Sequence, residues 1–214
     1  LYNLGLLSSM SNQGFQNSTG DQILNLNFPN KIGVAGGLDK NADYFHVLGK
    51  LGFGFVEVGT FTLKPQAGNP KPRVHRFAKE KNIVNSLGFN NVGVYQGLKN
   101  VERNKLSFDG VLGISIGKSK ETKTINAYKD YLHLIDYVHD QADYIAINIS
   151  SPNTENLRDL SSESYFRDLI EKIMNKKDQL NGGFSQSKPF ILKISPDESK
   201  ENLEKILLSC LEFK

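Results

Sequence analysis

The strongest constraint on this chain is a rhythm. Short apolar runs at 111–117, 144–149 and 190–195 read as strands, and each is followed by a longer segment with helical spacing, at about 122–140, 162–180 and 198–212. Two earlier runs, 32–37 and 54–60, fit the same series, the first leading into a helix after Asp39 or Asn41 and the second into one near 91–104. Strands that alternate with helices lie parallel, because each helix carries the chain back across the sheet. The pattern is therefore α/β, either doubly wound or a barrel of eight units, with about five β/α units present. Ahead of them, "ILNLNFPNKIGVA" (23–35) alternates around a Pro-Asn turn and reads as a β-hairpin leading into the first core strand. In the first helix, Tyr44, Val47, Leu48 and Leu51 supply the apolar face.

Parity along the strands separates two surfaces, since successive side chains point to opposite faces. Ile32, Val34, Leu38, Val56, Val58, Leu112, Ile114, Ile116, Ile145, Ile147, Ile149, Leu192 and Ile194 fall on a bulky face that requires helices over it. The opposite face carries Gly33, Ala35, Gly37, Glu57, Gly59, Val111, Gly113, Ser115, Gly117, Ala146, Asn148, Lys193 and Ser195. An ordinary barrel interior is filled by branched apolar side chains. Here the C-terminal strand ends present a ring of polar groups, Lys40, Thr60, Ser115, Asn148 and Lys193, beside glycines. A flat, bulky ligand across those ends, where barrels and open parallel sheets keep their sites, accounts for both features. The plainer alternative is that the glycines permit close packing and the polar groups cap helices.

Several function classes are excluded or unsupported. The 26 Lys and Arg against 23 Asp and Glu are spread without a block of like charge, which gives nucleic-acid binding no support. The lone Cys210 rules out an internal disulfide and leaves a thiolate metal site without support, and its place in an amphipathic pattern reads as core. His46, His75, His133 and His139 have no ligand spacing and lie away from the strand ends, so neither metal chemistry nor a hydrolytic triad is assembled. No run approaches the roughly 18 apolar residues of a spanning helix, and nothing resembles a secretory leader, so the protein is not expected to be secreted. "VAGGLDKNAD" (34–43) fits neither G-x-G-x-x-G nor the phosphate-cradling P-loop. The segment between the second strand and the helix near 91 is long, with three prolines between 65 and 72, and reads as a functional excursion or lid. Its Lys71, Arg73 and Arg76 either meet an anion or face water, and Asn90 reads as the cap of the next helix.

Taken in order, "GLDKN", "EVGT", "PQAGNPKPR", "NSLGFNN", "GISIGKSK", "YIAINISSPNT" and "LKISPD" strongly resemble the dihydroorotate dehydrogenase family over about residues 21–200. The resemblance implies a (β/α)8 TIM-type barrel that binds FMN and oxidises dihydroorotate to orotate in pyrimidine synthesis. The serine after "NIS" is similar to the second class, which uses a serine base and reduces a membrane quinone, and unlike the cysteine of the first class. It implies Ser151 as catalytic base and Lys40, Asn85, Ser86, Leu87, Gly88, Phe89, Asn148 and Asn153 as substrate contacts. Cofactor contacts implied are Ala35, Gly36, Gly37, Leu38, Asp39, Lys40, Thr60, Ser115, Asn148 and Lys193. Parity alone favours Ser150, which shares the Asn148 face. Ser115 replaces the usual asparagine of "GINIG", and "TENLR" replaces "TPGLR".

The resemblance further implies an FMN-binding barrel domain over 21–214 that lacks its C-terminal part. Residues 1–20 would be the remnant of a membrane-associated helical region, largely absent here, that makes peripheral contact with a bacterial inner membrane, on its cytoplasmic side, or with a mitochondrial inner membrane. Five units by themselves would leave sheet edges open. The alternative is a catalytically incomplete barrel fragment that retains only part of a flavin or pyrimidine surface.

Overall fold

Five parallel strands in the order β3-β4-β7-β8-β9 form the centre of the computed structural model, which describes residues 20–150, 163–181 and 188–213. These are β3 (Gly33–Val34), β4 (Phe55–Phe61), β7 (Val111–Ile116), β8 (Tyr144–Asn148) and β9 (Phe190–Lys193). Two antiparallel hairpins complete the strand set: β1 (Asp21–Ile23) with β2 (Leu26–Phe28), and β5 (Val74–Phe77) with β6 (Asn82–Asn85). The helices are α1 (Phe45–Lys50), α2 (Gly93–Lys105), α3 (Ala127–Val138), α4 (Glu163–Asn181) and α5 (Lys200–Glu212). The alternation expected from the sequence is present, and β7 and β8 are buried throughout. That is the reason they read as continuous apolar runs: a parallel sheet is covered on both faces.

Register fixes which residues share a level. Glu57 pairs with Gly113, Gly113 with Tyr144, and Asn148 with Lys193. On the helix side, Val56, Val58, Leu112, Ile114, Ile116, Ile145, Ile147 and Ile149 join one cluster with Tyr131, Leu134 and Ile135 of α3, Phe166 and Leu169 of α4, and Val94 and Val101 of α2. Burial of each such side chain contributes about 1.5–3 kcal/mol before entropy is set against it.

The inner face is not uniformly empty, which corrects part of the expectation. Val111, Tyr144 and Ala146 form a second cluster capped by Leu26, Phe28 and Phe55. The Phe28 and Phe55 rings meet edge to face, 5.4 Å apart at 89°. The first hairpin thus plugs the end of the interior opposite the strand C-termini. A Cβ on Gly113 would stand 2.1 Å from the Tyr144 ring, and one on Gly33 would stand 2.2 Å from Phe55. Those two glycines make room for aromatic rings of this chain and not for a ligand. Among the described residues, open space in this interior lies at the other end, beside Gly37, where an added Cβ would meet only Lys40 Nζ at 3.6 Å.

Four local expectations shift. The hairpin turns at Leu24–Asn25, both left-handed (φ 51° and 63°), and not at Pro29–Asn30. Asn30 instead is buried, accepting from Ile32 N and donating to Gly52 O, both at 2.9 Å. The first core strand, expected over 32–37, pairs only at Gly33–Val34, so Ile32 and Leu38, expected on the helix face, flank it and are 53% and 70% exposed. Gly37, at φ 106°, turns the backbone away and donates to Gly59 O at 2.9 Å. Helix α1 starts late because buried Asp39 accepts from Asp43 N and Tyr44 N, each at 2.8 Å. That phase turns Phe45 fully inward and leaves Tyr44 65% exposed and Leu51 outside, while Leu48 keeps its place against the core.

The excursion between β4 and α2 is built and not loose, since β5 and β6 pair within it and Gln66 bridges to Asn91. Both strands are short and exposed, so they leave no burial alternation to read. At the start of α2 it is Asn91, not Asn90, whose Oδ1 accepts from Gly93 N at 2.8 Å. The expected helical remnant at 1–20 lies outside the described residues apart from Gly20. Among the described residues no helix is long and apolar enough to cross a membrane.

Gly113→Ala places a methyl inside the van der Waals envelope of the Tyr144 ring. Overpacking of this kind costs about 1–3 kcal/mol, so urea unfolding should show a lower midpoint. The double variant Gly113→Ala/Tyr144→Leu should recover part of that loss.

Candidate active site

The strand C-termini surround a cleft of about 440 Å³, within the range of small-molecule sites. Its walls come from three places: the turn after β3, the ends of β4 and β8, and the segment 85–89 that runs from β6 toward α2. Each wall is held by identifiable bonds.

The β3 wall is backbone. A Cβ on Gly37 would meet only Lys40 Nζ, at 3.6 Å, so this stretch presents a side-chain-free surface to the cleft. The loop that follows is tied down from α2. The buried amides of Asn100 and Asn104 donate to Asn41 O and Ala42 O at 2.9 Å, which fixes the backbone just after Lys40.

The strand-end wall is a chain of hydrogen bonds. Asn148 Nδ2 donates to Thr60 Oγ1 at 2.8 Å, and Thr60 Oγ1 and Ser115 Oγ share a bond of 2.9 Å. Asn148 Oδ1 accepts from Ser150 N at 3.0 Å and from Ser150 Oγ at 2.8 Å, while Asn148 O accepts from Tyr131 of α3 at 2.9 Å. Thr60, Ser115 and Asn148 are all buried. Polar groups at such depth require partners, and here they find one another, which fixes the Asn148 amide in one orientation.

The third wall is held by the proline-rich segment. Gln66 Nε2 donates to Gly88 O and its Oε1 accepts from Lys120 N, both at 2.9 Å, so one side chain joins the 85–89 segment to the loop after β7. Asn69 Nδ2 donates to Ser86 O at 3.0 Å, and Arg73 Nη1 donates to Ala67 O and Asn69 O at 2.6 and 2.9 Å. Gly88 and Phe89 take left-handed φ values of 71° and 52°, which curls this segment toward the cleft.

Charge is one-sided. Burial depresses the Lys40 ammonium below its usual pKa, and the nearby cations Arg73 and Lys193 depress it further. Among the described residues no carboxylate pairs with Lys40. Lys193 Nζ instead sits 3.4 Å from Glu57 Oε1, and Glu57 Oε2 accepts from Tyr144 at 3.3 Å. Burial, then Glu57, raises the Tyr144 phenol well above its ordinary value, so it stays a donor. A half-buried cation without a counterion is a costly arrangement unless an anion completes it.

Of the residues expected from the sequence, Gly36, Gly37, Lys40, Thr60, Asn85, Leu87, Gly88, Phe89 and Asn148 line the cleft together. Ser115 stands one hydrogen bond behind Thr60, and Lys193 is paired to Glu57. Ala35, Leu38 and Ser86 are exposed and off the wall, and the Asp39 side chain is spent on the α1 start. Ser151 and Asn153 lie outside the described residues. Sequence reading gave no role to Glu57, Gln66 or Tyr131. Glu57 had a signal, its place on the inner face, whereas Gln66 and Tyr131 act through contacts 22 and 17 residues away in the chain. No group of histidine, cysteine and carboxylate residues that could hold a metal occurs among the described residues.

A sequence profile of the dihydroorotate dehydrogenase family matches residues 19–214. A curated protein named dihydroorotate dehydrogenase (quinone) from Buchnera aphidicola subsp. Schizaphis graminum is 48% identical over 193 residues, covering 90% of this chain and 57% of its own length. One of the same name from Legionella pneumophila (strain Corby) is 42% identical over 212 residues, covering 98% of this chain and 63% of its own length. The ligand-free DHODH crystal structure from Eimeria tenella superposes with a TM-score of 0.82 at 34% identity, over 98% of this chain and 64% of that one. Its complex with ferulenol gives 0.80 at 33% identity, over 99% and 62%. The chain thus spans 57–63% of the length of these two curated relatives.

Because folding lowers the Lys40 pKa from 10.5, the unfolded chain binds more protons than the folded one between the lowered value and 10.5. Stability from this group therefore rises with pH through that alkaline window, and below it the full cost of the charge is present. Lys40→Met, which keeps the stem and removes the charge, should raise the thermal midpoint at pH 7 and flatten the alkaline rise. A lower midpoint than the parent at pH 7 would contradict this assignment.

Proposed function

Since the chain belongs to the dihydroorotate dehydrogenase family, we propose that it carries the redox and substrate wall of an FMN-dependent dihydroorotate:quinone oxidoreductase of pyrimidine synthesis. The observation that carries this reading is the cleft itself: a Lys40 ammonium that no carboxylate of the described residues pairs, and an Asn148 amide locked by Thr60 and Ser150, line one cavity with the 85–89 segment. Dihydroorotate is a cyclic diamide bearing a carboxylate. A lysine without a counterion suits the carboxylate, and side-chain amides such as Asn85 and Asn148 match the paired donors and acceptors of the ring.

FMN fits the residues present. The Gly36–Gly37 backbone offers a flat wall free of side chains, the hydroxyls of Thr60 and Ser115 offer polar contacts, and Lys193 supplies a cation on the neighbouring side. When bound, FMN supplies the hydride acceptor. Ala35 to Lys40, with Thr60, Ser115, Asn148 and Lys193, would hold it within a domain spanning 21–214. Lys40, Asn85, Ser86, Leu87, Gly88, Phe89, Asn148 and Asn153 would hold the substrate.

Oxidation removes a proton and a hydride from adjacent ring carbons and leaves the conjugated ring of orotate. The task of this chain is the proton side: Ser151 Oγ takes the proton. Serine is a weak base at its free pKa, so it needs an environment that passes the proton on or holds the alkoxide briefly. Ser150, immediately before it, is bonded to Asn148 Oδ1 through both its N–H and its hydroxyl. Electrons then leave to a membrane quinone, with membrane contact assigned to the N-terminal region. The competing reading, an incomplete surface without turnover, predicts a colourless protein that cannot be reconstituted with FMN. The clustering of the lysine, amides and glycine wall in one cleft favours the enzyme.

Ser151→Ala should keep FMN while slowing its reduction by dihydroorotate by about 10²–10⁴-fold in anaerobic stopped-flow. Near-normal reduction removes Ser151 from the role of base. Lys40→Met should weaken orotate binding about tenfold or more, the loss expected for a charge-assisted bond, with flavin partly retained. Unchanged orotate affinity would leave Lys40 without a part in substrate binding.

A further inference from the structure

Glu57 is an inner-face residue of β4 that the proposed chemistry leaves without a task, yet its carboxylate bonds to side chains of two other strands near the cleft. Its side chain is 13% exposed, with Oε1 3.4 Å from Lys193 Nζ of β9 and Oε2 accepting from Tyr144 of β8 at 3.3 Å. A Cβ on Gly36 would stand 2.4 Å from Glu57 Oε1, so the carboxylate lies directly behind the backbone that walls the cleft. Lys40, Lys193 and Arg73 all bring positive charge to this region. Among the described residues, Glu57 is the one carboxylate ion-paired with any of the three.

Stability alone does not explain this arrangement. An ion pair whose lysine is 35% exposed seldom improves on well-packed apolar residues, and the floor one level below it, Val111 and Phe55, is apolar. What the pair does provide is a fixed charge distribution on one side of the cleft, in an interior where fields are weakly screened.

We propose that Glu57 is a positioning residue that anchors the Lys193 ammonium behind the Gly36 wall and cancels part of its charge, thereby setting how strongly the cleft favours the reduced over the oxidised form of its redox cofactor. This rests on the FMN reading above. The Tyr144 hydroxyl shares the carboxylate and moderates it. A bare lysine would overstabilise added negative charge, whereas the three-residue set from β4, β8 and β9 holds the bias at an intermediate value.

The test is the ratio of affinities for reduced and oxidised FMN in the holoenzyme, read as the reduction potential against reference dyes under anaerobic conditions, with flavin content from absorbance. Glu57→Gln keeps the shape and the acceptor oxygen but drops the charge. It should raise the ratio at least tenfold, about 30 mV upward for a two-electron couple. Tyr144→Phe keeps the carboxylate but removes the hydroxyl that shares its charge, and should move the ratio the other way. A purely structural role loosens the site in both variants and gives no such sign reversal. Shifts of opposite sign support the proposal; an unmoved ratio, or shifts of the same sign, overturn it. Should Glu57→Gln fail to retain FMN, the sign of Tyr144→Phe decides alone, a fall supporting the proposal and a rise or no change ending it. A parent protein that never binds FMN sinks the cofactor reading and this inference with it, whereas a flavin-loaded parent with unmoved variants sinks only the inference.

Discussion

Everything in this molecule depends on the two-residue period of five parallel strands held in register. Once Glu57, Gly113 and Tyr144 lie at one level and Asn148 and Lys193 at another, the branched residues between them have no choice of face. Ile114, Ile116, Ile145 and Ile147 must meet helices, and α3 and α4 supply Tyr131, Leu134, Phe166 and Leu169 to receive them. A slip of one residue would carry Asn148 into that apolar layer and Ile147 into the cleft, at the cost of an unpaired buried amide and an exposed isoleucine.

The same register divides the interior along its length. At one end Phe28, Phe55, Tyr144 and Val111 fill the space, with Gly33 and Gly113 yielding room to two of the rings. At the other end the filling stops, and Thr60, Ser115, Asn148 and Ser150 form a connected polar set in its place. Glu57 sits between the two zones, bonded at its own level to Tyr144 and across to Lys193. The barrel mouth is thereby a made cavity with an apolar floor, which is how a packed scaffold accommodates a ligand without losing its core.

The third wall illustrates how a long connection becomes part of a site. Between β4 and α2 the chain makes its own hairpin, β5–β6, and returns to be pinned by Gln66, Asn69 and Arg73. Backbone groups that would otherwise be left wanting are satisfied by these side chains, and the left-handed Gly88 and Phe89 are kept in place. Pre-organisation of this kind means that binding need not order the 85–89 segment.

The order of strands and helices, the split between helix-facing and inner residues, and the polar ring at the strand ends were legible in the sequence, because periodicity records burial directly. So was the grouping of Lys40, Thr60, Asn148 and the 85–89 segment, through the resemblance of seven short motifs to one family. The start of α1 was not legible: Asp39 and Asn41 both read as caps, yet the helix begins at Phe45 behind Tyr44, with Asp39 bonded to the amides of Asp43 and Tyr44 and Asn41 Oδ1 accepting from Val92 N. Nor were the exposed β5–β6 hairpin, with no burial to betray it, or the filling of Gly33 and Gly113 by rings from other strands. The sequence by itself determined which face each strand residue occupies, since that follows from a local period of two. Only the tertiary structure decided what fills each vacancy and which charges meet, as with Glu57, Tyr144 and Lys193, because those distances depend on the register between strands 87 and 136 residues apart in the chain.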